Sequence, residues 1–114
     1  MDIEAARYTA WQSTLKRAAW DYKSFCESID GWDIHPVRGG AVLAKGPELH
    51  LCVFPNSLSK KALAILRKTI NTYGKATTST ELGNVVGATF VTKLGFKKTH
   101  VINNIQYWRI TNGN

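Results

Sequence analysis

Apolar residues in the N-terminal third recur at alternating steps of three and four: Tyr8, Trp11, Leu15, Ala18, Tyr22, Phe25 and Ile29. That spacing predicts one long amphipathic helix over residues 3–29. Asp2 stands where its carboxylate can cap the first turn and favour the positive end of the helix dipole. The aromatic stripe reads most simply as a core face, with a partner-binding surface as the sharper alternative. Past Asp30-Gly31 the period drops to two. Trp32, Ile34 and Val37 predict a strand, and Pro36 places it at a sheet edge because proline cannot donate to a ladder. Gly39-Gly40 turns the chain into a short strand over residues 41–44, and Lys45-Gly46-Pro47 turns it again into residues 48–54. In that third strand Leu49, Leu51 and Val53 alternate with His50 and Cys52.

Ser59 is a good N-cap for a second helix over residues 60–73. Ala62, Leu63, Leu66, Ile70 and Tyr73 face inward there, Lys61, Arg67 and Lys68 face outward, and Gly74 ends the helix. Residues 76–80 are threonine-rich and suit a strand. Asn84 then caps a third helix in which Val85, Ala88, Val91 or Thr92, and Leu94 or Gly95 recur at helical spacing. Gly95 occupies the position that favours a left-handed residue, and Phe96 follows where an apolar contact closes the motif. Residues 97–101 and 105–110 read as two strands around a turn at Asn103-Asn104. The predicted order is α–β–β–β–α–β–α–β–β, a mixed-sheet α/β fold occupying residues 1–114 as a single domain.

Composition supports a folded chain. Of 114 residues, 44% are apolar and 20% charged, which suits a globular core rather than a disordered tail. No apolar run approaches the roughly 20 residues that span a bilayer, so no membrane role is expected. The start, Met-Asp-Ile-Glu, is acidic where a signal peptide is positive. Cys26 and Cys52 are distant and suit reduced thiols in a cytosol; with His35, His50 and His100 they form no metal-ligand spacing. The net charge of +7 favours an anionic partner such as a phosphate-rich ligand, nucleic acid or an acidic protein, or else simply keeps the surface soluble.

The segment Asn84-Val-Val-Gly-Ala-Thr-Phe-Val-Thr-Lys-Leu-Gly95-Phe96, followed by a hairpin, resembles the C-terminal part of the GCN5-related N-acetyltransferase (GNAT) fold. The element order extends that resemblance over nearly the whole chain, with the family's usual first strand lacking a counterpart and its two N-terminal helices reduced to one. The resemblance implies that acetyl-CoA lies between two splayed parallel strands, here residues 48–54 and 76–80. It also implies a pyrophosphate held at the following helix N-terminus, by Asn56, Ser57, Ser59, Lys60 and Lys61, with Asn84 opening the last helix beside the cleft. Two departures weaken catalysis. The phosphate loop Pro55-Asn56-Ser57-Leu58-Ser59-Lys60-Lys61 has no glycine, so the backbone cannot approach a pyrophosphate as closely. Lys60 and Lys61 either compensate electrostatically or are solvated first-turn lysines. The family's general-acid tyrosine falls on Val91, which transfers no proton. Glu81 is a weak candidate base, as are Glu48 and His50, and Glu81 equally fits an exposed residue near a helix start.

A second resemblance, confined to Leu58 onward, joins Leu58-Ser59-Lys60-Lys61-Ala62, Arg67-Lys68, Ile70 and Tyr73 to Asn84, Phe90, Lys93 and Gly95. These residues resemble the internal virion protein A family of T7-like tailed phages. That implies a phage protein with a phage or host protein partner, located in the virion or the host cytoplasm. Three functional classes fit the sequence: a degenerate GNAT-like protein acting by binding, an active acetyl-CoA-dependent N-acetyltransferase, and a nucleic-acid binder. The last ranks lowest because no aromatic stacking platform is interleaved with the basic residues. Pro36 and Arg38 protect the edge of the sheet, so a monomer or weak dimer is expected.

Overall fold

Two aspartates start two separate helices at the N-terminus, where the apolar spacing had suggested one. The computed structural model describes residues 2–15, 18–54 and 58–112. In it, α1 (Ile3–Thr14) is capped by Asp2 and α2 (Tyr22–Ser28) by Asp21, whose carboxylate accepts from the Ser24 N–H at 2.7 Å. The single helix over residues 3–29 is therefore corrected. A capping carboxylate offers the backbone an alternative to continuing a helix, and two indole donors hold the resulting fold-back. Trp11 Nε1 donates to the Trp20 carbonyl at 3.0 Å, and Trp20 Nε1 donates to Thr14 Oγ1 at 2.8 Å. The buried face of α1 is Ala6, Ala10 and Thr14, while Tyr8 and Leu15 of the expected stripe are exposed. Small side chains let α1 lie close on the sheet. Tyr8, Trp11 and Tyr22 instead pack together between the two helices, with ring centroids 5.2–5.6 Å apart.

After α2 the chain runs β1 (Asp33–Val37), β2 (Gly40–Lys45), β3 (Glu48–Val53), α3 (Lys60–Tyr73), β4 (Lys75–Glu81), α4 (Val85–Lys93), β5 (Lys97–Ile102) and β6 (Ile105–Thr111). The strands form one mixed six-stranded sheet ordered β1-β2-β3-β4-β6-β5. The β3–β4 pair is parallel and the others antiparallel. Pro36 lies on β1, at an edge of this sheet, where its missing N–H costs no ladder bond. The result is a compact α+β domain with four helices among the described residues, of radius of gyration 13.4 Å. No helix among those residues is long and apolar enough to cross a membrane.

The period-two alternation divides the apolar residues between two cores. Val37, Val42, Leu49, Ala76 and Trp108 face α3 and α4, where Leu66, Val91 and Phe96 meet them. Ala41, Leu43 and Cys52 face the other way, under α1 and α2, with Ala6, Ala10 and Phe25. On α3 the buried residues are Ala62, Leu66 and Thr69, while Tyr73 is exposed. On α4 Val91 is buried and Ala88 and Leu94 pack beside it, but Val85 is exposed, so the expected stripe holds from Ala88 onward.

Local signals place the last elements. Gly95 has φ of +102°, its N–H reaches the Thr92 carbonyl at 3.0 Å, and the Phe96 N–H reaches Val91 at 3.1 Å. That is the Schellman pattern, and Phe96 is buried. Asn103 and Asn104 both have positive φ, 49° and 65°, as a tight two-residue hairpin turn requires.

Gly40 has a different role from the turn glycines: a Cβ there would lie 2.0 Å from the Cys52 carbonyl oxygen on β3. Gly40→Ala is expected to cost about 3 kcal/mol by urea unfolding because two backbones must separate. Gly31→Ala meets no atom within 4 Å, so it should lose only the about 1–2 kcal/mol of its left-handed conformation. Equal losses would contradict the close approach of β2 and β3.

Candidate functional site

The parallel junction between β3 and β4 has a single register pair, Glu48 opposite Thr77, reinforced by the Thr77 N–H donating to the Pro47 carbonyl at 2.9 Å. Beyond it the two strands no longer pair with each other. The space between them is a cleft of about 570 Å³, within the range of small-molecule sites, about 300–1,000 Å³. His50, Leu51 and Cys52 of β3 line one side, and Thr78 to Glu81 of β4 the other. Trp20, Phe25 and Trp32 give the cleft an apolar wall from the helical side, and Asn84, Gly87 and Phe90 close the α4 end.

Several contacts hold these walls. Trp20 is fixed by its bond to Thr14 Oγ1, which is itself buried and also donates to the Trp11 carbonyl at 2.7 Å. Trp108 Nε1 donates to Thr80 Oγ1 at 2.9 Å and orients that hydroxyl from the neighbouring strand, on the same face of the sheet. On β3, His50 Nε2 lies 2.9 Å from Glu48 Oε2, and the His50 ring meets Trp32 edge-on at 5.3 Å. The Lys45 ammonium sits 5.9 Å from the Trp32 ring centroid, so cation, indole, imidazole and carboxylate follow one another along this stretch of β2 and β3.

Two shifted ionisations, of Asp21 and Tyr22, lie beside the fold-back. The Ser24 N–H, followed by the Ser24 side chain, holds the Asp21 carboxyl below its ordinary value. Burial and then hydrogen bonding with Cys26 raise the Tyr22 phenol.

Of the residues singled out in the sequence, His50, Glu81 and Asn84 line the cleft, whereas Glu48 is not among its lining residues. Glu81 is exposed at the end of β4. Asn84 spends its side-chain oxygen on the Gly87 N–H at 3.0 Å, and a Cβ at Gly87 would come 2.6 Å from Asn84 Nδ2 and displace that capping side chain. Ser59 likewise caps α3, its Oγ accepting from the Ala62 N–H at 3.2 Å. Lys60 and Lys61 are exposed on the first turn of α3 and are not among the residues that line the cleft. Asn56 and Ser57 lie outside the described residues. Val91, at the position of the family's acid, is buried against the cleft floor.

The strand over residues 76–80, expected on one side of the cleft, brings Thr80 to it, and the contact that orients Thr80 spans 28 positions. Trp20 and Trp32 carry no such signal in the sequence, Trp20 because the apolar spacing runs on as a continuous helix. The Glu48–His50 spacing of two, which puts both side chains on one face of a strand, was the available signal for that pair. Comparison with protein-family models, curated proteins and solved structures finds no match for this chain.

Thr14→Val removes the acceptor of the Trp20 indole while keeping the shape of the side chain. It is expected to lower unfolding free energy by about 1–3 kcal/mol and to shift the tryptophan emission, whereas Thr14→Ser should preserve both. An unchanged unfolding curve for Thr14→Val would show that this bond does not hold the cleft wall.

Proposed function

We propose that the chain is a shortened GNAT-like domain whose β3–β4 cleft binds a CoA-type ligand, and that it acts by binding more than by acyl transfer. The observation that carries this reading is the one-pair parallel junction opening into a cleft of about 570 Å³. An extended amide-bearing arm fits between strand edges that part from one another, and the aromatic wall of Trp20, Phe25 and Trp32 suits an apolar thioester end. Supporting it further are the crossover through α3, which carries a capped N-terminus after β3, and the antiparallel β5–β6 hairpin that ends the sheet. A helix start is an anion-favouring end, and Lys60 and Lys61 add charge there.

The chemistry expected of an acyltransferase has weak carriers. Val91 moves no proton, Glu81 is a solvated carboxylate, and Ser59 and Asn84 are committed to caps. The sequence resemblance to a phage virion family supports a setting in the virion or the infected cell, with a protein partner completing the function. A second reading, acyl transfer to an amine, is favoured by one feature: His50 lines the cleft with a carboxylate 2.9 Å from its ring, the arrangement of an imidazole oriented by an acidic partner.

Calorimetric titration with CoA and acetyl-CoA separates these readings. Dissociation constants in the micromolar range are expected, weakened about tenfold when Lys60 and Lys61 are both replaced by alanine. If the chain also turns over acetyl-CoA, His50→Gln should abolish turnover while retaining binding. No heat with either ligand at about millimolar concentration would overturn both readings.

A further inference from the structure

On the side of the sheet that carries α1 and α2, the helices leave half the strands uncovered. α1 packs mainly over β1, β2 and β3, while among the described residues Lys75, Lys97, His100 and Arg109 on the same face of β4, β6 and β5 are exposed, leaving that part of the face open. Ala76, Thr78 and Thr80 face α3 and α4, as do Gln106 and Trp108, so alternation sends Thr77, Ser79, Tyr107 and Arg109 to the open side. From the edge strand β5, Lys97 stands opposite Arg109 and His100 opposite Tyr107. The two rings stack, with centroids 4.6 Å apart and planes 9° from parallel. A register shift between Lys98 and His100 frees Thr99, whose Oγ1 lies 2.8 Å from His100 Nδ1 and donates to the Tyr107 carbonyl at 3.2 Å. The irregularity therefore props the imidazole against the phenol.

Beside this stack lies a shallow groove of about 390 Å³, bordered by Lys75, Thr77, Arg109 and Glu48. Three cations, Lys75, Lys97 and Arg109, flank the aromatic pair on exposed positions. Glu48, at the far end, already has His50 as a partner at 2.9 Å. The face thus combines a flat π surface with surrounding positive charge, on a chain of net charge +7.

We infer that the open face of β4, β6 and β5 binds single-stranded nucleic acid, with a base on the His100–Tyr107 stack and phosphates on Lys75, Lys97 and Arg109. Bases offer π faces to such a platform only when they are unpaired, while the backbone supplies the negative charge. An acidic peptide would satisfy the lysines and leave the stack unused. This site is independent of the cleft ligand.

The test is fluorescence anisotropy with labelled oligothymidylate and oligouridylate of about 20 nucleotides, across about 50 to 300 mM salt. The two arms tell DNA from RNA as the source, and binding of either supports the site. The log of the affinity should fall with log salt at a slope of about −2, three cations at about −0.7 each for single strands. Tyr107→Ser should weaken binding about five- to hundredfold and Tyr107→Phe should not. Arg109→Ala should flatten the slope by about 0.7. Lys68→Ala, exposed on α3, should change nothing. If Tyr107→Ser does not fold, His100→Ala on the exposed strand carries the same expectation. The proposal is overturned by duplex bound as tightly as single strand, by polyglutamate competing on equal terms, by wild-type affinity in both ring variants, or by no binding at the lowest salt.

Discussion

Glu48 and Thr77 form the one register pair between two three-stranded antiparallel halves, β1-β2-β3 and β4-β6-β5. Parallel strands cannot be joined by a tight turn, so the chain crosses through α3 between them. Because the ladder stops after that pair, hydrogen bonds do not hold the halves together along their length. Packing takes over. One core draws Val37, Val42 and Leu49 from the first half, Ala76 and Trp108 from the second, and Leu66, Val91 and Phe96 from the helical side that spans them. The sheet can therefore open on one side of the junction without the domain coming apart, and the cleft is the space that opening leaves.

Coverage of the opposite face is uneven for a related reason. The fold-back at Trp20 keeps α1 and α2 short, and α1 packs mainly over β1 to β3. Their edge supplies the aromatic wall of the cleft through Trp20 and Phe25. Past that wall, β4, β6 and β5 present polar, basic and stacked aromatic side chains in place of an apolar layer. Two neighbouring surfaces of different chemistry result: a mostly apolar cleft lined in part by His50, and an open basic platform. Net positive charge serves both, since phosphates belong to each proposed ligand.

Much of the fold was legible because its signals are local. Ser59 and Asn84 cap the helices they were expected to cap, Gly74 and Gly95 end helices with positive φ, and the Asn103-Asn104 turn sets the hairpin. Less legible was whatever depends on contacts distant in sequence. The stripe from Tyr8 to Ile29 has helical spacing, yet the bonds from Trp11 to Trp20 and from Trp20 to Thr14 favour a break that periodicity cannot show. Val85 fits the α4 pattern but is exposed, because a helix stripe says which side is apolar and not how far the sheet extends beneath it. The sequence seemed to lack a stacking platform because His100 and Tyr107 sit on different strands and meet only through the irregular register around Thr99. In the cleft, Glu81 and Asn84 were legible as neighbours of a helix start and Thr80 as part of a flanking strand, whereas Trp20 and Trp32 reach it only through contacts distant in sequence.

The central claim is that the parting of β3 and β4 makes a ligand cleft, and amide-resolved NMR during titration with CoA tests it most directly. The account predicts the largest shifts at the amides of Leu51, Ser79, Thr80 and Gly87, on both walls of the cleft. Shifts confined to the exposed lysines of α3, or spread evenly over basic surface, would mean that the phosphates find charge and the cleft holds nothing.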